Sequence, residues 1–160
     1  MKRSKIVIVG AGGSGKDHLT QRFIEKGFKP SISHTTRPPR PGESEGVDYY
    51  FVNSTAFRSL IKADEFYEYK EFNNWFYGVS KVAFDKADLF IMTPPAIEEM
   101  DKETRDKCLV IYLDIPEEIR AKRISQRNDA DDVKRRISVD REMFDCFTNY
   151  DIRVSDPIFD

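Results

Sequence analysis

The 160-residue chain is poor in cysteine: Cys108 and Cys146 lie far apart, without the spacing of a metal site. Cys108 opens an apolar run and reads as a buried, reduced thiol of a cytosolic protein. Long hydrophobic runs are also missing. The start, MKRSKIVIVG, has a basic beginning but only a short apolar run, Ile6 to Val9. That is too short for a signal peptide or a membrane span. No charge of one sign dominates, with 26 basic and 28 acidic side chains and a net charge of −2. Nothing global therefore favours nucleic acid or an anionic membrane as partner. Repeats and low-complexity tracts are absent. What remains is 39% hydrophobic content, enough for one compact domain with a buried core.

The pattern along the chain alternates strands with helices. KIVIVG is β-branched, apolar and closed by Gly10, as a strand of a parallel sheet buried on both faces would be. From Gly15 the spacing of Leu19, Phe23 and Ile24 predicts a helix that stops near Gly27. SISHTTRPPRPGESEGVDYYFV is rich in proline and glycine and reads as a long turn-rich loop between two short strands. STAFRSLIKA predicts a helix capped by Ser54, EFYEYKEF a strand, and SKVAFDKA a short helix. DLFIMT reads as a buried strand stopped by Pro94 and Pro95, and CLVIYLDI as another. Pro116-Glu117-Glu118 opens a helix with proline in its first turn and acids near its positive end. A further helix is expected from about Asp129 to Asn149, and IRV as a last strand. Together these predict an α/β fold: a parallel sheet flanked by helices, interrupted by an inserted, mixed antiparallel region rich in Tyr and Phe.

GAGGSGKD follows the first strand. Its glycines, Gly10, Gly12, Gly13 and Gly15, let several N–H groups around Ser14 face one concavity, where they and the helix start bind phosphate oxygens. Lys16 adds a mobile positive charge for a nucleoside triphosphate. The P-loop pattern calls next for a hydroxyl that reaches Mg²⁺; here that place holds Asp17. A carboxylate repels phosphate oxygens, but it is a good hard ligand if Mg²⁺ sits between them. Asp17 is therefore a candidate metal ligand, and His18 a neighbour at the helix start.

The turn-rich loop carries Arg37 and Arg40 on a proline-stiffened backbone, followed by Tyr49. Arginine forks match phosphate geometry, and a stiff loop loses little entropy on binding. Further on, EFYEYKEFNNWFYGVS offers Glu68 and Tyr77. A buried carboxylate can accept two parallel hydrogen bonds from the N1–H and N2–H₂ of guanine.

Taken together, SISHTTRPPRPGESEGVDYYF, EFYEYKEFNNWFYG and the arginine-bearing RISQRNDADDVKRRI resemble the guanylate kinase family from about Lys5 to Asp156. The resemblance implies a P-loop NTPase fold with a core over 1–32 and 88–160. A monophosphate-binding insertion would cover 33–87 and a helical lid about 123–138. It implies that Arg37, Arg40, Tyr49 and Tyr77 hold the acceptor's monophosphate, that Ser33 meets O6 of guanine, and that Glu68 meets N1 and N2. Lys16 and the loop backbone would hold ATP with Mg²⁺, and Arg123, Arg127 and Arg136 would clamp the transferring phosphate. The implied enzyme is a cytoplasmic nucleoside monophosphate kinase acting on GMP or dGMP.

The chain departs from the family pattern in four places. The hydroxyl pair after the P-loop lysine is Asp17-His18, a change also met in some phage-type deoxynucleoside monophosphate kinases. Val79 replaces the hydroxyl that helps hold O6, with Ser80 beside it as a substitute or a helix cap. MTPPAI replaces an acidic strand end that lies near the nucleotide in the family, leaving Thr93 as the polar candidate there for the monophosphate acceptor. The usual helix after the last strand is not present, so apolar surface is expected there unless rearrangement or a second copy, as in a homodimer, covers it. These losses fit a short, diverged, phage-type member. They also keep two alternatives in view: a same-fold kinase with shifted base specificity, and a non-catalytic phosphopeptide-binding module.

Overall fold

The computed structural model describes residues 2–72, 74–126 and 133–159. The chain begins with β1 (Lys5–Gly10) and α1 (Lys16–Glu25). There follow β2 (His34–Thr35), β3 (Tyr50–Phe51), α2 (Ser54–Lys62), β4 (Phe66–Phe72), β5 (Trp75–Ser80) and α3 (Lys81–Lys86). It continues with β6 (Leu89–Ile91), α4 (Pro94–Glu98), α5 (Lys102–Asp106), β7 (Cys108–Leu113), α6 (Glu117–Ser125), α7 (Val133–Phe144) and β8 (Ile152–Val154). Two compact units result: Lys29–Asp88 forms one, and the residues before and after it form the other.

In the flanking unit a wholly parallel sheet runs in the order β6-β1-β7-β8. Val7, Ile8 and Val9 of β1 are all 0% exposed, which only a strand covered on both faces achieves. On one face Ile6, Ile8, Leu89, Ile111 and Leu113 form a cluster onto which Leu19, Phe23 and Ile24 of α1 pack. Helix α1 ends as its glycine predicts. Gly27 has φ 94°, its N–H bonds to Ile24 O, and Phe28 N–H bonds to Phe23 O. These are the paired bonds of a Schellman cap. Cys108 is buried, its Sγ 3.3 Å from Thr104 O, and burial raises its thiol pKa.

The unit Lys29–Asp88 holds a mixed sheet in the order β3-β2-β5-β4, parallel between β2 and β3 and antiparallel elsewhere. A bulge between Phe66 and Glu68 shifts the register of β4 on β5. Such an extra residue re-aims the side chains around it. Phe66 turns to the face where Phe57 of α2 stacks on it at 4.5 Å, while Tyr67 stacks on Phe84 of α3 at 3.8 Å.

Several local expectations change. Helix α2 is capped by Asn53, whose Oδ1 accepts from Ala56 N–H at 2.8 Å; Ser54 is its first helical residue. The prolines after β6 open α4 as well as ending the strand, because Pro94 at the first helical position has no N–H to satisfy. Pro116 caps α6 from outside its first turn. Helix α7 stops at Phe144, short of Asn149. There Phe144 and Phe147 pack on Tyr112 with centroids at 5.6 and 5.3 Å, which pulls the chain out of the helix. Its expected start at Asp129 lies outside the described residues. Val154 at the end of β8 and Phe159 beyond it pack on the core cluster, while Ile158 is 87% exposed. Among the described residues no helix is long and apolar enough to cross a membrane.

Candidate functional site

The first group of candidates stands in the flanking unit, where β1 gives way to α1. Gly13 and Gly15 have φ of 78° and 95°, the left-handed region that glycine enters without steric cost. Gly15 is also the N-cap of α1 and offers no side-chain cap. The first-turn N–H groups of α1 therefore carry the partial positive charge of an uncapped helix start. Ser14 is fully buried, and its Oγ has no hydrogen-bond partner among the described residues. Lys16 Nζ donates to Gly10 O at 2.6 Å and to Ala11 O at 3.2 Å, which curls the ammonium back over the loop.

Asp17 is exposed in the first turn of α1, directly after Lys16. Among the described residues no group of three or more His, Cys, Asp or Glu side chains could hold a metal. An exposed hard carboxylate beside a phosphate loop does fit Mg²⁺, which draws most of its ligands from phosphate and water. His18 is exposed too, and its ring meets Phe159 edge-on at 5.8 Å.

Helices α6 and α7 bring two of the predicted arginines to this loop. Arg123 Nη1 donates to Gly13 O at 3.0 Å and Nη2 to Pro157 O at 2.8 Å. Arg136 Nη2 lies 3.4 Å from where a β-carbon on Gly12 would stand. Arg127 falls outside the described residues. Thr93, grouped by sequence with the acceptor residues, belongs to this flanking unit, where it is the N-cap of α4.

The second group stands in Lys29–Asp88. Arg37 is 7% exposed and forks onto Glu43. Nη1 reaches Oε1 at 2.8 Å and Nη2 reaches Oε2 at 3.0 Å. Burial alone would lower the Arg37 pKa, but the hydrogen bonds and charge of Glu43 outweigh it and raise the pKa. Glu43 is held below its ordinary value in turn: burial opposes this, and the bonds from Arg37 and Arg40 prevail. Its Oε1 also accepts from Arg40 N–H at 2.7 Å. The Arg37 guanidinium lies 5.2 Å from the ring of Tyr49, which in turn lies 6.1 Å from the ring of Tyr77. Burial raises the Tyr49 pKa, so its hydroxyl keeps its proton to donate.

Strand register sorts the remaining candidates. Glu68 stands opposite Val79, and Lys70 opposite Tyr77, which also pairs with Thr35. Alternation puts these side chains on one face of the sheet. Burial lowers the Lys70 pKa, against the pull of the Glu68 charge. Val79 is 3% exposed. Ser33 O accepts from Tyr50 N–H at 2.9 Å, which fixes its backbone beside β3. Ser80 caps α3, its Oγ accepting from Ala83 N–H at 3.0 Å.

Sequence reasoning missed Glu43, Lys70 and Asp140. Glu43 had a signal: a carboxylate six residues after Arg37 in a loop folded back by prolines. Lys70 had one in the two-residue strand period from Glu68. Asp140, whose Oδ2 accepts from Gly12 N–H at 2.9 Å, had none, because that contact joins residues 128 apart.

A parallel sheet with a glycine loop running from its central strand into a helix, and arginines from later helices on that loop, defines a P-loop nucleotide-binding protein of the α/β class. The guanylate kinase family model matches residues 2–160, and the chain belongs to the guanylate kinase family. Among relatives, it is 42% identical over 88 residues to a guanylate kinase of Thermus thermophilus, a match covering 54% of this chain and 40% of that protein. It is 46% identical over 81 residues to the Homo sapiens guanylate kinase, covering 49% and 41%. The matches thus span well under half the length of these relatives. The guanylate kinase structure from Anaplasma phagocytophilum superposes over 97% of this chain and 78% of that one, with TM-score 0.71 at 21% identity. That similarity speaks to the fold.

Proposed function

We propose that the protein transfers the γ-phosphoryl group of ATP to a guanine nucleoside monophosphate, GMP or dGMP, giving ADP and the nucleoside diphosphate. The observation that carries this reading is the Arg37–Glu43 fork with Tyr49 and Tyr77 beside it, in a chain of this family that also has a phosphate loop. Relatives named guanylate kinase favour guanine over another base. The intact Lys16 loop favours catalysis over a phosphopeptide-binding module.

The donor is assigned to the flanking unit. The loop N–H groups and the start of α1 would bind its phosphates, with Lys16 Nζ leaving the Gly10 and Ala11 carbonyls for a phosphate oxygen. Asp17 would hold the Mg²⁺, which neutralises phosphate charge when bound. Arg123 and Arg136 supply positive charge to the transferring group. The acceptor is assigned to Lys29–Asp88. Arg37, Arg40, Tyr49 and Tyr77 would bind its phosphate, Ser33 the O6 edge and Glu68 the N1 and N2 edge of guanine. No protein nucleophile is needed. An oxygen of the acceptor monophosphate, whose second pKa is about 6, bonds to the γ-phosphorus. The bond from that phosphorus to the β–γ bridging oxygen breaks, and ADP leaves.

The test is ADP release across a panel of nucleoside monophosphates, repeated with Glu68→Ala. Turnover confined to GMP and dGMP, with KM raised for them and unchanged for ATP in the variant, is expected. Preference for another base, or equal loss for both substrates in the variant, counts against the assignment.

A further inference from the structure

Asp140 has no part in the reading above. It lies on α7 one turn after Arg136, so both side chains share a helix face. Its Oδ2 accepts the Gly12 N–H at 2.9 Å, a charge-assisted bond and therefore stronger than one between neutral groups. A β-carbon placed on Gly12 would meet Asp140 Oδ2 at 3.3 Å and Arg136 Nη2 at 3.4 Å. The two side chains converge on Gly12, where a β-carbon would crowd both.

The rest of α7 shows why this contact matters. Its C-terminal half is held elsewhere, by Phe144 stacked on Tyr112 and by Arg141 paired with Glu117. Those contacts keep the helix attached but lie farther from Arg136 than Asp140 does: Arg141 stands about one and a half turns on and points to Glu117, and Phe144 about two turns on. The Asp140–Gly12 bond brings the hold to the turn next to that guanidinium and ties it to the loop that binds phosphate.

We infer that Asp140 is a positioning residue for phosphoryl transfer: it anchors α7 on Gly12 and so fixes Arg136 against the phosphate loop. This rests on the transfer activity proposed above. A carboxylate acts here as an acceptor for a backbone N–H, so asparagine can replace it in kind while alanine cannot.

The experiment measures steady-state kinetics of Asp140→Ala and Asp140→Asn, each alone and with Arg136→Ala, and the Gly12 amide resonance of the full chain. Asp140→Ala is expected to lower kcat about tenfold, the worth of one such bond, with KM for GMP unchanged. Asp140→Asn should retain kcat within about threefold of wild type, a neutral bond in place of a charged one. In the Arg136→Ala background Asp140→Ala should cost less than about twofold, because the two act as a unit. The Gly12 amide proton should move upfield in Asp140→Ala as its acceptor is lost. An Asp140→Ala enzyme as fast as wild type, a full loss retained without Arg136, an asparagine variant as poor as alanine, or an unmoved Gly12 resonance overturns the inference. Wild-type protein that turns over no nucleoside monophosphate overturns the proposed function instead, and the amide resonance then decides the anchoring by itself.

Discussion

Glu43 takes both terminal nitrogens of Arg37 in a fork, at 2.8 and 3.0 Å, and the N–H of Arg40 as well. One carboxylate thus shapes the loop that carries both arginines. Because the fork is mostly buried, Glu43→Gln should destabilise the protein by about 1–3 kcal/mol near neutral pH. The pH dependence has a definite sign. The folded carboxylate has a lowered pKa, so its contribution is fully present above the ordinary glutamate value. It is lost as pH falls through the lowered value. Denaturant unfolding of wild type and variant across this range should show two curves that converge in acid. A gap that stays constant with pH would mean the fork contributes through shape alone.

Val79 faces the same side of the sheet as Glu68 and is 3% exposed. Val79→Thr puts a hydroxyl where a methyl packs now. Without ligand that hydroxyl is buried and unpaired, so stability should fall by about 1–3 kcal/mol. With guanine bound it can donate to O6, so KM for GMP should fall about threefold to tenfold, the worth of one neutral hydrogen bond. 2-Aminopurine ribonucleoside monophosphate, which carries only hydrogen at that ring position, should gain nothing. Thermal unfolding and KM values for the two acceptors decide it. An equal gain for the 2-aminopurine nucleotide would place residue 79 away from the O6 edge.

The parallel sheet and the phosphate loop were legible because their causes are local. A β-branched run and a glycine pattern are written in consecutive residues, and Gly27 ended α1 for the reason its sequence gives. The cap of α2 was read one residue late because Asn53 and Ser54 are both good caps, and only the backbone decides which stays outside the helix. The end of α7 could not be read. Phe144 and Phe147 continue a helical spacing, yet they are drawn to Tyr112 on β7. Arg37 and Arg40 stood out as a motif, but the carboxylate holding Arg37 required knowing how the prolines fold the loop. Asp140 depends on a tertiary contact with Gly12 and left no mark in either segment.

Asp17 stands exposed at the start of α1, where the loop pattern has a hydroxyl. Asp17→Ala should raise the Mg²⁺ concentration needed for half-maximal rate, and Asp17→Ser should restore much of it, since a hydroxyl is a weaker hard ligand. KM for GMP at saturating Mg²⁺ should not move. Magnesium titrations of the three proteins provide the measurement. Identical titration curves would exclude Asp17 from the metal.

Gly13 and Gly27 share a left-handed backbone, φ 78° and 94°, but not their surroundings. A β-carbon on Gly13 would lie 2.7 Å from Arg120 O, whereas one on Gly27 would meet nothing within 4 Å among the described residues. Both alanine variants carry the same backbone strain, about 1–2 kcal/mol. Only Gly13→Ala must also move backbone, since a carbonyl of α6 cannot swing aside as a side chain can. That shift is passed to the helix carrying Arg123, which bonds to Gly13 O. Gly27→Ala should therefore lower Tm by a few degrees and leave kinetics unchanged. Gly13→Ala should lower Tm further and raise KM for ATP, while GMP binding measured without ATP stays as in wild type. Equal kinetic effects from both substitutions would show that strain at α1, and not the fit of α6 against the loop, governs the donor site.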